Sequence, residues 1–118
     1  MTILIIDDEP LVRKSLSRLL QAHGHSIFEA NDGRSGLNLW REKKPDLVFL
    51  DVLMPGMNGP EVLSKIGTEK GKTKVVMISA YTGEFNRESS QKLGADLFIP
   101  KPFEDIFSIV KMVEELMK

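Results

Sequence analysis

Two rhythms of apolar residues alternate along the chain. Short unbroken apolar runs occupy residues 2–6, 47–50, 75–78 and 97–99. Between them, apolar residues recur at steps of three and four. Runs this short and this apolar predict strands buried on both faces, whereas the stepped stretches predict amphipathic helices. A fifth, partly alternating run at 26–30 predicts an edge strand. Pro10 opens the first helical pattern, with Val12, Leu16, Leu19 and Leu20 on its inner side and Asp8 or Glu9 placed to cap it. Asp32 is placed to cap the second helix, which carries Leu37 and Trp40 and stops before Pro45. A short third helix follows Pro60, with Val62, Leu63 and Ile66 inward. The fourth pattern, from Glu84 to Leu93, has only Phe85 and Leu93 as apolar anchors. The last is the clearest: Phe103, Ile106, Phe107, Val110, Val113, Leu116 and Met117 form one stripe. Five strand-then-helix units in succession predict an α/β domain. A parallel sheet lies between two helix layers, and right-handed crossovers restrict its topology.

Composition narrows the possibilities. At 118 residues the chain fits one domain, spanning residues 1–118. A formal net charge of -1 argues against a broad nucleic-acid-binding face, which needs a basic excess. The absence of cysteine removes disulfides, thiolate metal sites and cysteine nucleophiles. No apolar run approaches the roughly 18 residues of a membrane helix, and no signal peptide is apparent at Met1, so a cytoplasmic protein is expected.

The polar residues at the strand ends carry the chemistry. Asp7 and Asp8 follow the first run, Asp51 the run at 47–50, Ser79 the run at 75–78, and Lys101 stands just past the run at 97–99. Any one of these reads equally well as a cap or a turn residue. In a parallel sheet, however, all carboxyl ends share one edge, which is where open α/β sheets place their ligands. Three carboxylates gathered there repel one another unless a cation joins them, and oxygen ligands of this kind suit Mg²⁺. One carboxylate is then available as a nucleophile towards phosphorus, with the ammonium and the hydroxyl contacting the phosphoryl oxygens. Asp51 stands centrally and suits the nucleophile, while Asp7 and Asp8 suit the metal.

These residues, together with Met54-Pro55, Gly59, Ser79-Ala80 and Lys101-Pro102-Phe103, resemble the signature of the response-regulator receiver domain of two-component systems. The resemblance extends over essentially the whole chain. It implies a flavodoxin-like (βα)5 sandwich with a five-stranded sheet of order 2-1-3-4-5. It implies that Asp51 accepts a phosphoryl group from a sensor histidine kinase or a phosphotransfer protein. Asp8, Asp51 and the backbone carbonyl of Leu53 would hold Mg²⁺, with Asp7 acting through a water. Lys101 would pair with the phosphoryl group, Ser79 would turn inward to it, and Phe98 would follow as the switch aromatic. A cis peptide before Pro102 is implied as well. The Glu84–Leu93 helix, the Phe98 strand and the last helix would form the output face for a downstream protein or for an effector domain. Leu53 and Tyr81 match positions flanking the phosphoryl group, where an apolar and a bulky side chain hinder a hydrolytic water, so slow self-dephosphorylation is expected. The chain is expected to catalyse only its own phosphorylation and dephosphorylation, as a monomer or weak dimer.

Other readings make different demands. A Mg²⁺-dependent phosphatase of the haloacid-dehalogenase type wants an acid two residues after the nucleophile, where this chain has Leu53. A nucleotide- or flavin-binding domain wants a GxGxxG or phosphate-binding loop, and none is present. A degenerate receiver, never phosphorylated and acting only by protein contact, keeps the fold without the chemistry.

Overall fold

The computed structural model describes residues 1–80 and 87–118. Strands and helices alternate: β1 (Thr2–Ile6), α1 (Pro10–Ala22), β2 (Ser26–Ala30), α2 (Gly33–Lys43), β3 (Leu47–Asp51), α3 (Gly59–Ile66), β4 (Lys74–Ser79), α4 (Arg87–Lys92), β5 (Leu97–Pro100) and α5 (Ile106–Leu116). A 3₁₀ turn, Gly67–Lys70, follows α3. All strand pairs are parallel, in the order β2-β1-β3-β4-β5. This is the flavodoxin-like arrangement.

The unbroken apolar runs serve two cores at once, because successive strand side chains point to opposite faces. Leu4, Ile6, Val48, Leu50, Val75 and Met77 face the layer that carries Leu37, Trp40, Val62 and Ile66. Ile3, Ile5, Leu47, Phe49, Val76 and Ile78 face Leu16 and Leu20 of α1 and Ile109, Val110 and Val113 of α5. Strand β2, with its mixed burial, is an edge strand. Gly36 lets α2 approach the sheet: a Cβ there would lie 2.7 Å from the Ile6 side chain.

Several local expectations are corrected. Glu9 occupies the N-cap position of α1 but makes no side-chain cap hydrogen bond; its carboxylate is engaged elsewhere. Asp32 does cap α2, accepting from the Ser35 N–H at 2.8 Å. Leu93 is 43% exposed and does not anchor α4. Among the described side chains, those buried there are Ser90 and, just beyond the helix, Ala95. Phe107 is 71% exposed, and Ile109 takes the inward place instead. The helix begins at Ile106, capped by Asp105, and the rest of the stripe (Phe103, Ile106, Val110, Val113, Leu116 and Met117) does face the core.

Candidate functional site

Strand register alone brings the polar strand ends together. Asp51 pairs across with Ile78, and the Val52 N–H donates to the Ile78 carbonyl at 3.0 Å, so Asp51 and Ser79 end adjacent strands. Ser79 is fully buried, and its carbonyl accepts from the Lys101 N–H at 2.8 Å. That bond fixes the start of the Lys101 segment beside β4. The Lys101–Pro102 peptide is cis. Asp7, one residue past β1, is held by its own backbone: its N–H donates to the Ala30 carbonyl, and its carbonyl accepts from Arg13 at 2.7 Å. Behind the site, Gly59 packs directly on the Asp51 carbonyl, where a Cβ would collide with it. The Gly59 N–H donates to Val52 at 2.9 Å. The Met54–Pro60 loop is thus pinned to the end of β3.

At the edge, carboxylates from Asp7, Asp8, Glu9 and Asp51 each offer an oxygen, and these oxygens lie within 4.8 Å of one another. The Lys101 ammonium sits among them, 3.0 Å from Asp7, 2.7 Å from Glu9 and 3.5 Å from Asp51, with its side chain only 7% exposed. The charges set the titration. Burial pushes the Asp51 carboxyl up to about 7; the nearby Asp7 charge adds to the rise and Lys101 opposes it. Burial raises Asp7 as well, against the Glu9 N–H and Lys101, which favour its charged form. For Lys101, burial acts to lower the pKa, but the bonds to Glu9 and Asp7 and the Asp51 charge outweigh it, and the net shift is upward. Two buried carboxylates whose pKa values are both pushed upward mark a site short of positive charge. A hard divalent cation with oxygen ligands fits that donor set.

The structure brings Asp7, Asp8, Asp51, Ser79 and Lys101 to one edge as expected. Leu53, two residues past Asp51, is 55% exposed and carries no acid for a phosphatase leaving group. Phe98 is half-buried on β5, packed against the core that contains Met77 and Ala95. Tyr81 lies outside the described residues, as does the start of the Glu84–Leu93 pattern. Glu9 was read from sequence only as a cap. The signal available was the acidic triplet Asp7-Asp8-Glu9, whose third member also turns back to the site.

Comparison with known proteins agrees with this geometry. The family model described as the response regulator receiver domain matches residues 3–114. Protein PilH of Pseudomonas aeruginosa is 31% identical over 105 residues, covering 87% of this chain and 87% of its own. Response regulator MprA of Mycolicibacterium vanbaalenii is 38% identical over 101 residues, 86% of this chain and 44% of MprA. The chain thus spans about half the length, or less, of several curated relatives. Among solved structures, the receiver domain of the hybrid histidine kinase CckA superposes with a TM-score of 0.83 at 34% identity, covering 100% of both chains. A CheY-like receiver domain from Methanospirillum hungatei gives 0.91 at 27% identity, covering 98% of this chain and 92% of that one. Fold, edge chemistry and a family match that runs almost end to end lead to one conclusion: this chain belongs to the response-regulator receiver family, the phosphoryl-accepting modules of two-component signalling.

Proposed function

We propose that Asp51 is the phosphoacceptor of this receiver and that residues 1–118 act as one phosphorylation-switched module. The observation that carries the reading is the position of Asp51: buried at the end of the central strand, within 3.5 Å of Lys101 and ringed by Asp7 and Asp8. In the transfer, an Asp51 carboxylate oxygen attacks the phosphorus of a phosphohistidine. The P–N bond breaks as the new O–P bond forms, and its electron pair leaves with the imidazole, which takes up a proton. The acyl phosphate remains on Asp51. Asp8, Asp51 and the Leu53 carbonyl would hold Mg²⁺, with Asp7 acting through a water. Bound there, Mg²⁺ supplies the positive charge that keeps Asp51 ionised and offsets the phosphoryl oxygens. Lys101 reaches the same oxygens from the β5 side, and Ser79 offers its hydroxyl from β4.

Response regulators act through histidine kinases and effectors. For this chain, a sensor kinase or a phosphotransfer protein is the proposed donor. A downstream protein or an attached effector domain is the proposed reader. A phosphorylated Asp51 gains charge and acceptor oxygens, which draw Lys101 and Ser79 towards it and shift α4, Phe98 on β5 and α5. Exposed, apolar Leu53 and the bulky Tyr81 support slow self-dephosphorylation. A phospho-form half-life of only seconds would contradict that.

The test is incubation with Mg²⁺ and acetyl phosphate beside Asp51→Asn, read by intact mass. We expect the gain of one base-labile phosphoryl group, dependent on Mg²⁺ and absent from the variant. No modification of the parent protein would leave a receiver fold used only for protein contact.

A further inference from the structure

The shortest contact of Lys101 is with Glu9, not with any carboxylate at the bottom of the site. Glu9 Oε1 accepts from Lys101 Nζ at 2.7 Å, and Asp7 accepts at 3.0 Å. Asp51 lies at 3.5 Å, an ion-pair distance longer than either of those bonds. The ammonium therefore directs its hydrogen bonds at Glu9 and Asp7 rather than at the nucleophile. Glu9 differs from the other carboxylates in two ways. Its side chain is 57% exposed, so it stands at the mouth of the site. It is also unneeded by α1, since it makes no cap hydrogen bond despite its N-cap position. Among the described residues its carboxylate pairs with Lys101, the lysine the phosphoryl group requires. An ammonium has three N–H donors. With Asp7 holding one, a phosphoryl group on Asp51 must share Lys101 with Glu9 or displace it.

We propose that Glu9 is a positioning residue that competes with the phosphoryl group on Asp51 for Lys101, and so sets how strongly the phosphorylated state is favoured. The inference rests on Asp51 being the acceptor. Glu9 acts through Lys101: while the pair is closed, the ammonium is drawn outward, and the phosphoryl group gains the full lysine contact only when the pair opens. The pair is a partly exposed one, so the effect is modest and falls with added salt.

The test is a titration with beryllofluoride, a phosphoryl mimic, at saturating Mg²⁺, on the parent chain, Glu9→Gln and Glu9→Asp. Gln keeps the shape and loses the charge; Asp keeps the charge and loses the reach. We expect Glu9→Gln to bind the mimic about 2- to 5-fold more tightly, in line with the strength of a partly exposed ion pair. Glu9→Asp should move in the same direction by less, and the gain of both should shrink as salt rises. Parent and variants with equal affinity, or weaker binding by Glu9→Gln, would overturn the proposal while leaving Asp51 as acceptor. Tighter binding by Gln with Glu9→Asp equal to the parent would replace the pair by general charge repulsion and overturn it too. A parent chain that does not bind the mimic at all would remove the reading of Asp51, and this inference with it.

Discussion

Helices α4 and α5 lie against the same edge strand, β5, and are built on opposite principles. Helix α5 buries Ile109, Val110 and Val113 among Ile99, Val76 and Ile78. Helix α4, over its described side chains, presents Glu88, Gln91 and Lys92 to solvent and buries Ser90. Apolar burial is worth about 25 cal/mol per Å², so α5 is welded to the sheet, while the described side chains of α4 bury no large apolar group. Thinly anchored elements open at lower free energy, and regulatory movements are drawn from them. The site shows the same contrast on a smaller scale. The flanks of β3 are fully apolar, while its last residue is a buried carboxylate raised to about 7. In both places the regions that would switch have been left under-stabilised beside a scaffold that has not.

The sharpest break of this contrast is Ile109→Ala, which empties a fully packed position. It should cost about 2–4 kcal/mol in urea denaturation. A cost below about 1 kcal/mol would mean α5 is no better anchored than α4. Next is Asp51→Asn without metal. The folded pKa of Asp51 lies above its ordinary value of 3.8, so the native state holds the proton more tightly than the unfolded chain. The stability that this group contributes is therefore full at low pH and lost as pH rises through about 7. Denaturation in EDTA should show Asp51→Asn more stable than the parent by about 1–3 kcal/mol at pH 8, with the gap closing towards pH 4. Equal stability at pH 8 would show that Lys101 already compensates the burial. Third, amides of residues 88–92 should exchange hydrogen at opening energies at least about 2 kcal/mol below those of β3, and their protection should change with beryllofluoride and Mg²⁺. Uniform protection across α4 and α5 would remove α4 as the switching element. The smallest effect is Leu93→Ala, at a half-exposed position, which should stay within about 0.5 kcal/mol.

The sequence by itself determined the order of elements, the parallel sheet and the edge where chemistry gathers. The reason is local: unbroken apolar runs can be satisfied only between two helix layers, and each run ends in a polar residue that must lie at the sheet's carboxyl edge. Asp7, Asp8, Asp51, Ser79 and Lys101 were legible on that ground alone. What the pattern misplaced were residues whose exposure depends on the angle at which a helix meets the sheet. Phe107 and Ile109 differ by two positions, and the way α5, from Ile106 on, lies against the sheet decided which faced inward. Leu93, just past the end of α4, stays 43% exposed. Only the tertiary structure decided the partner of Lys101. Glu9 and Lys101 stand far apart in sequence, and no local rule says which of four nearby carboxylates an ammonium will choose. That choice rests on burial: Asp7 and Asp51 are sunk in the sheet edge, where charge is costly, and Glu9 alone reaches the ammonium while its own carboxylate stays in contact with water.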